Sequence, residues 1–150
     1  DLVDEIEKAG LSTDAVNIEL TESVLLENNI NTQHFLKELK RMKINLALDD
    51  FGTGYSNFHY LSELNPEIIK IDRTFTANAV ADKKEYYLLK QFCEMIHRLG
   101  LKLCIEGVEN EVEWMKIKKL KPEYGQGFYW GKPCEYVDFV RQFVDKAQKK

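Results

Sequence analysis

Short apolar runs alternate with amphipathic stretches along the whole chain. Leu2 to Ala9 has the pattern of a helix end, and Gly10 supplies the left-handed stop such an end favours. Val16 to Leu20 predicts a strand. From Asn31 to Lys43, Phe35, Leu39 and Met42 recur at i, i+4 and i+7, which predicts a helix with that face inward. Ile44 to Leu48 predicts a strand that runs straight into Asp49 and Asp50, followed by a glycine-punctuated loop from Phe51 to Tyr55 and a short helix. Pro66 introduces a third strand, Ile68 to Ile71. Lys84 to Leu99 predicts a long helix with Leu88, Phe92, Ile96 and Leu99 inward, closed by Gly100. Leu101 to Ile105 reads as a fourth strand, Glu111 to Leu120 as a helix, and Phe128 to Trp130 as a fifth strand. Val137, Val140, Val144 and Ala147 mark a last helix.

Strands separated by helices imply right-handed crossovers and a parallel sheet. A closed barrel of eight such units needs about 250 residues. This chain has 150 residues and five units. The expected fold is therefore α/β: a partial TIM-type (β/α) barrel of about five parallel βα units, forming a single truncated domain over residues 1–150, the later part of the barrel. Such a piece leaves strand edges that must be paired or covered.

Composition narrows the classes. Charged residues make up 31% and hydrophobic ones 44%, as in globular proteins, and the net charge of −4 argues against a broad face for a nucleic acid polymer. Lys116, Lys118, Lys119 and Lys121 cluster, which reads as a solvated helix face. No apolar run approaches the ~18 residues of a membrane span, and no signal-peptide pattern opens the chain. The expectation is a cytoplasmic segment without membrane contact, within a parent that is free to be tethered. Cys93, Cys104 and Cys134 have no metal or disulfide spacing and are expected as reduced thiols, the first two in the core. His34, His59 and His97 have no ligand spacing and read as structural or surface residues.

In parallel β/α folds the chemistry sits at the carboxyl ends of the strands. Those ends carry Glu19 with Glu22, Asp49 with Asp50, Lys70 with Asp72, Glu106 with Glu109, and Gln126. So many acids cannot share one rim at neutral pH without a strong mutual penalty unless cations sit among them. Oxygen ligands without His or Cys favour magnesium, manganese or calcium over zinc. Adjacent Asp49 and Asp50 suit two ions, which together stabilise the attacking and leaving oxygens of an in-line phosphoryl displacement, with Lys70 supplying positive charge nearby. Each residue alone has an ordinary reading: an Asp-Asp after a strand is often a cap, a strand-end Lys a solvated end, and Glu106 to Glu109 a turn. Their recurrence at one topological position outweighs those readings.

The runs Ile18 to Ser23, Asp49 to Ser56 (Asp-Asp-Phe-Gly-Thr-Gly-Tyr-Ser), Ile69 to Arg73, Glu106 to Glu109 and Gln126 to Phe128 resemble, in order, the signatures of EAL domains. That family comprises bacterial phosphodiesterases that open cyclic di-GMP to linear pGpG. The resemblance implies that Glu19, Asp49, Asp50 and Glu106 hold Mg2+ or Mn2+, with Asp49 as the bridge. It makes Lys70 the contact of the catalytic water, and Glu22 the anchor of the loop Phe51 to Ser56. Gln126, Glu109 and Asp72 become substrate-binding positions. It also implies a homodimer through the region Asp49 to Leu64.

The family's first motif, Glu-Ala-Leu followed by Arg, and the Asn ending its third strand are absent from these residues. The resemblance places both at the first metal site. Two other readings stand beside the hydrolase. One is a non-catalytic EAL domain acting as a cyclic di-GMP receptor or interaction module, for which lost ligands would be the mark, although the ligands present here are intact. The other is an unrelated barrel acting on a phosphorylated sugar, for which Gly127 and Gly131 are sparse support.

Overall fold

Alternation along the strands builds the sheet. In the structure, a computed structural model that describes residues 2–21, 23–24, 30–52, 61 and 64–144, five strands lie parallel in sequence order: β1 Asn17–Thr21, β2 Asn45–Phe51, β3 Ile68–Ile71, β4 Lys102–Ile105 and β5 Tyr124–Gly125. Each crossover advances one strand in the same direction. That is the path of a β/α-barrel wall, and not of a doubly wound sheet, whose order reverses.

One face carries Leu46, Leu48, Ile69, Ile71, Leu103 and Ile105, all at most 9% exposed, and it packs under the helices. Full burial of an aliphatic side chain of this kind is worth about 1.5–3 kcal/mol. The other face is polar and concave. Asn17, Glu19, Asn45, Lys70, Lys102 and Cys104 border a groove of about 350 Å³ there.

Among the described residues the helices with defined bounds are α1 Leu2–Lys8, α2 Ile30–Arg41, α3 Arg73–Ala81, α4 Lys83–Arg98, α5 Glu111–Ile117 and α6 Tyr136–Phe139. Single 3-10 turns occupy Thr13–Ala15 and Lys118–Leu120, and a π-turn occupies Val140–Val144. Side-chain caps set three helix starts. Asp72 accepts from the Thr74 N–H, Asp82 from the N–H groups of Lys84 and Glu85, and Asn110 from that of Glu113.

Several expectations need correction. The inward stripe of α4 is Leu89, Cys93 and Ile96, whereas Leu88 and Leu99 face solvent. Apolar residues run around much of this helix, so periodicity could not choose between stripes one residue apart. Phe35 is also turned out, leaving Leu39 as the buried residue of α2. α3 forms where the pattern predicted no element, because its buried residues are Thr76 and Ala79, which are small or polar. The fifth strand is Tyr124–Gly125, paired to Cys104 and Ile105, and Phe128 to Trp130 form a turn. The aromatic run imitated a strand. The last helix reaches regular α geometry only over Tyr136–Phe139, Val137 is exposed, and Ala147 lies outside the described residues. The expected short helix after Tyr55 lies largely outside them too.

A candidate divalent-metal site at the strand ends

The register of the sheet lines up the chemistry. Thr21 of β1 stands beside Asp49 of β2, and Lys70 of β3 beside Cys104 of β4, two residues before Glu106. Adjacent strand residues ordinarily point to opposite faces, so Asp49 and Asp50 should not share a site. The pairing explains how they do. Leu48 pairs with Ile69 and Phe51 with Ile71, so two residues, Asp49 and Asp50, oppose the single residue Lys70. This is a β-bulge, and Asp50 takes a left-handed backbone, φ 52. Aspartate tolerates that conformation better than bulkier side chains. One oxygen each from Asp49, Asp50 and Glu106 then lies within 4.8 Å of the others.

Lys70 sits beneath this cluster with its side chain only 7% exposed. It donates to Glu19 Oε2 at 2.8 Å. Its Nζ is also 3.0 Å from Asp49 Oδ1 and 2.9 Å from Glu106 Oε1. Those two separations are ion-pair distances, but the angles are not those of hydrogen bonds. Both oxygens are buried without an aligned donor. Burial alone would lower the Lys70 pKa, yet the hydrogen bond to Glu19 and the close carboxylates of Glu106 and Asp49 outweigh it and hold the ammonium well above its ordinary value. Glu106 moves the other way for a carboxyl. Burial pushes its pKa up, Lys70 opposes that, and the charges of Asp49 and Glu19 add to the rise.

Glu19 lies outside the cluster of three and joins it through Lys70. Asp72, Glu109 and Gln126 border a cavity of about 360 Å³ that also touches Asp50 and Glu106. The Asp72 carboxylate is engaged in capping α3. The Gln126 N–H donates to the Ile105 carbonyl and the Val108 N–H to the Gln126 carbonyl, which brings Gln126 beside the loop after β4. Glu22 lies outside the described residues, as do 53–60 and 62–63 of the expected pairing region. Arg73 and Phe128 also border the rim cavity. Sequence reading passed over Arg73, although it follows Asp72 directly at a strand end, and assigned Phe128 to a strand.

The donor set fits a hard divalent cation: carboxylate oxygens alone, closely spaced, two of them buried without an aligned hydrogen-bond donor. Glycine shapes its edge. Gly107, directly after Glu106, has φ 74, and a Cβ there would run into the Cα and Cβ of Arg73.

A parallel β/α wall that gathers carboxylates at the carboxyl ends of its strands is the layout of a metal-binding β/α-barrel domain. The profile of the EAL domain family matches residues 1–133, and the chain belongs to that family. It is 33% identical over 149 residues to the cyclic di-GMP phosphodiesterase NbdA of Pseudomonas aeruginosa, covering 95% of this chain and 19% of that protein. Its structure is similar to the cAMP-bound form of the EAL enzyme Bd1971 (TM-score 0.87, 26% identity, 95% of this chain and 38% of that one). It is also similar to Klebsiella pneumoniae BlrP1 in a manganese/cyclic di-GMP complex (TM-score 0.82, 31% identity, 89% and 34%). The chain thus spans about a fifth of the length of the curated relatives it matches. No helix among the described residues is long and apolar enough to cross a membrane.

Proposed function

We propose that this chain forms the later part of a divalent-metal-dependent phosphodiesterase domain that opens cyclic di-GMP to linear pGpG. The observation that carries the reading is the cluster of Asp49, Asp50 and Glu106 closed from beneath by Lys70. The similarity to the cyclic di-GMP phosphodiesterase NbdA and to BlrP1 in its manganese/cyclic di-GMP complex supports this substrate. Asp49, Asp50 and Glu106, with Glu19, would hold Mg2+ or Mn2+, Asp49 as the shared ligand. Bound there, the ions would acidify a coordinated water and neutralise the phosphodiester charge.

The chain's own contribution follows from charge. Four carboxylates and one ammonium sum to −3, since −4 + 1 = −3. Two divalent ions bring the site to +1, and one phosphodiester then brings it to zero. A single ion would leave it repelling its substrate. Lys70, held protonated by its three partners, is no base near neutral pH. It acts as fixed positive charge and donor toward the attacking oxygen and the charge developing on phosphorus. Asp72, Glu109 and Gln126 would orient the nucleotide. Glu22 would anchor the loop Phe51 to Ser56 at the base of which the two aspartates stand.

The residues 1–150 alone are expected to turn over little cyclic di-GMP, because the family's Glu-Ala-Leu-x-Arg and Asn positions are not among them. The domain is proposed as cytoplasmic, and as a homodimer through Asp49 to Leu64. A strictly monomeric mass by light scattering would refute the latter. For the function, the domain carrying this chain is incubated with cyclic di-GMP and Mn2+, and pGpG is followed chromatographically. Glu106→Gln should lower turnover at least ~100-fold, more than the 10- to 100-fold typical of losing a ligand's supporting partner. Absence of pGpG in the unmodified domain, or undiminished turnover in the variant, overturns the reading.

A further inference from the structure

We infer that the first turn of α3 sets the spacing of the acid cluster, and that Phe75 on that turn is the positioning residue that holds Asp50 in place. The inference rests on the divalent-metal site proposed above. Phe75 acts on that site only through the backbone that follows Asp50.

The bulge has no local reason to keep its shape. Asp50 is left-handed at φ 52 and Gly52 at φ 95, on either side of Phe51. Such a backbone persists only where the surrounding structure over-determines it. Two aromatic contacts do so here. Phe51 is fully buried, pairs with Ile71 and stacks on Phe92 of α4 with ring centres 5.1 Å apart. Gly52 lies against Phe75, since a Cβ on that glycine would stand 2.8 Å from Phe75 Cε2 and 3.0 Å from Cζ. The edge of the Phe75 ring thus meets the chain directly after the bulge closes.

The same helix turn supports the other acid. Gly107 follows Glu106, and its backbone packs on the Cα and Cβ of Arg73. Glycines just beyond Asp50 and just beyond Glu106 therefore seat on neighbouring positions of a single turn. That turn is itself fixed. Asp72 accepts from the Thr74 N–H at 2.8 Å, and the Phe75 N–H donates to the Asp72 carbonyl at 3.1 Å. Asp50 and Glu106 come from strands that are not neighbours, because β3 stands between β2 and β4. Their separation depends on a common support, and α3, which follows β3, supplies it. Without the ring, Asp50 is free to return to ordinary extended backbone, which turns its carboxylate to the face opposite that of Asp49.

Phe75 also packs against the core, so losing it lowers stability in any case, and metal affinity is what separates the two roles. Mn2+ affinity is measured by calorimetry, and melting in EDTA by circular dichroism, on the domain carrying this chain. Phe75→Leu and Phe75→Met each keep an apolar side chain and remove the ring, the second serving where the first does not fold. Ile96→Val is the control. It trims a buried side chain of α4 beside the start of β4, where the Leu101 N–H donates to the Ile96 carbonyl, at the end of the sheet away from the acids. Every one of these variants should lower Tm. Mn2+ affinity should fall about tenfold in the Phe75 variants, as for loss of a residue that supports a ligand, and stay unchanged in Ile96→Val. In an Asp50→Asn background the Phe75 substitutions should change Mn2+ affinity by less than about twofold, because residues acting through one another are not additive. Unchanged affinity in the Phe75 variants, an equal fall in Ile96→Val, or a full fall in the Asp50→Asn background overturns the role of Phe75. Failure of both Phe75 variants to fold overturns it too, by making the ring a core residue. An unmodified domain that binds no Mn2+ overturns the metal site itself and the inference with it.

Discussion

Replacing Lys70 by Met keeps an aliphatic stem of similar length and removes the charge that three carboxylates share. The ammonium lies within 3.0 Å of Glu19, Asp49 and Glu106, and its side chain is almost fully buried. Breaking a buried ion pair by deleting one partner costs about 3–5 kcal/mol. Glu19 is half exposed, so solvent relieves one of the three contacts, and about 2–4 kcal/mol is the expected loss without metal. In a domain of this size each kcal/mol corresponds to about 2–4 °C of Tm, which predicts a drop of about 4–16 °C in EDTA. The same deletion removes the cation nearest to where metal ions would sit. Mn2+ should therefore bind Lys70→Met more tightly and stabilise it more than the unmodified domain at the same concentration, the gain reaching about 2.7 kcal/mol at a hundredfold excess over the variant's own Kd. Lys70→Arg keeps the charge and should lose less than half as much. Melting curves by circular dichroism for the three proteins, in EDTA and with Mn2+, give these differences. A Lys70→Met domain that melts within 2 °C of the original in EDTA would show that the ammonium does not balance the acids.

Asp50→Asn retains a side chain suited to the left-handed backbone at φ 52 and removes one charge, so stability in EDTA should change by less than ~0.5 kcal/mol. Its Mn2+ affinity by calorimetry should fall at least tenfold, and an unchanged affinity would remove Asp50 from the ligand set. Gly107→Ala places a Cβ against Arg73 at φ 74 and should cost at least ~2 kcal/mol in urea unfolding. Iodoacetamide at pH 8 should label exposed Cys134 alone, since burial pushes the Cys93 thiol up to about 12 and that of Cys104 up to about 11. Because an unfolded thiol ionises from about 9, the unfolded state loses these protons first. Stability should fall as pH rises from about 9 toward 12, read as a lower urea midpoint at pH 10.5 than at pH 8.

Strands were the legible part of this chain, and the reason is local. β1 to β4 are short apolar runs ending in acids, and their order follows from the crossover rule without any tertiary information. Helix faces were harder. Around α4 apolar residues occur at 88, 89, 92, 93, 95, 96 and 99, and only the position of the sheet selects 89, 93 and 96. β5 was misplaced because it contains one side chain, Tyr124, beside a glycine, and its pairing comes from β4. At the site, charge at strand ends pointed to Asp49, Asp50, Glu106 and Lys70, which the structure brings together. The reason Asp49 and Asp50 act together was not visible, because a strand pattern puts them on opposite faces. The bulge exists only through the register against β3.

The acids at this rim oppose folding in one state and serve it in another. The Glu106 carboxyl is raised by burial and by the neighbouring charges of Asp49 and Glu19, against the pull of Lys70. A raised carboxyl binds its proton more tightly folded than unfolded, so without metal this group makes stability fall as pH rises above its ordinary value of 4.5. A divalent cation binds only the ionised carboxylate and turns the sign around, so that the folded state then releases the proton more readily than the unfolded one. Lys70 limits the damage in the first state, but it is one ammonium among four carboxylates. Each further cation held at rest would reduce the net negative charge that would draw metal in. The bulge sharpens the same compromise. It adds a second aspartate where the sheet would have placed a residue under the helices, gaining a ligand and a like charge together. The rim is thus stabilised incompletely by the chain itself, and the part left over is what a bound metal would supply.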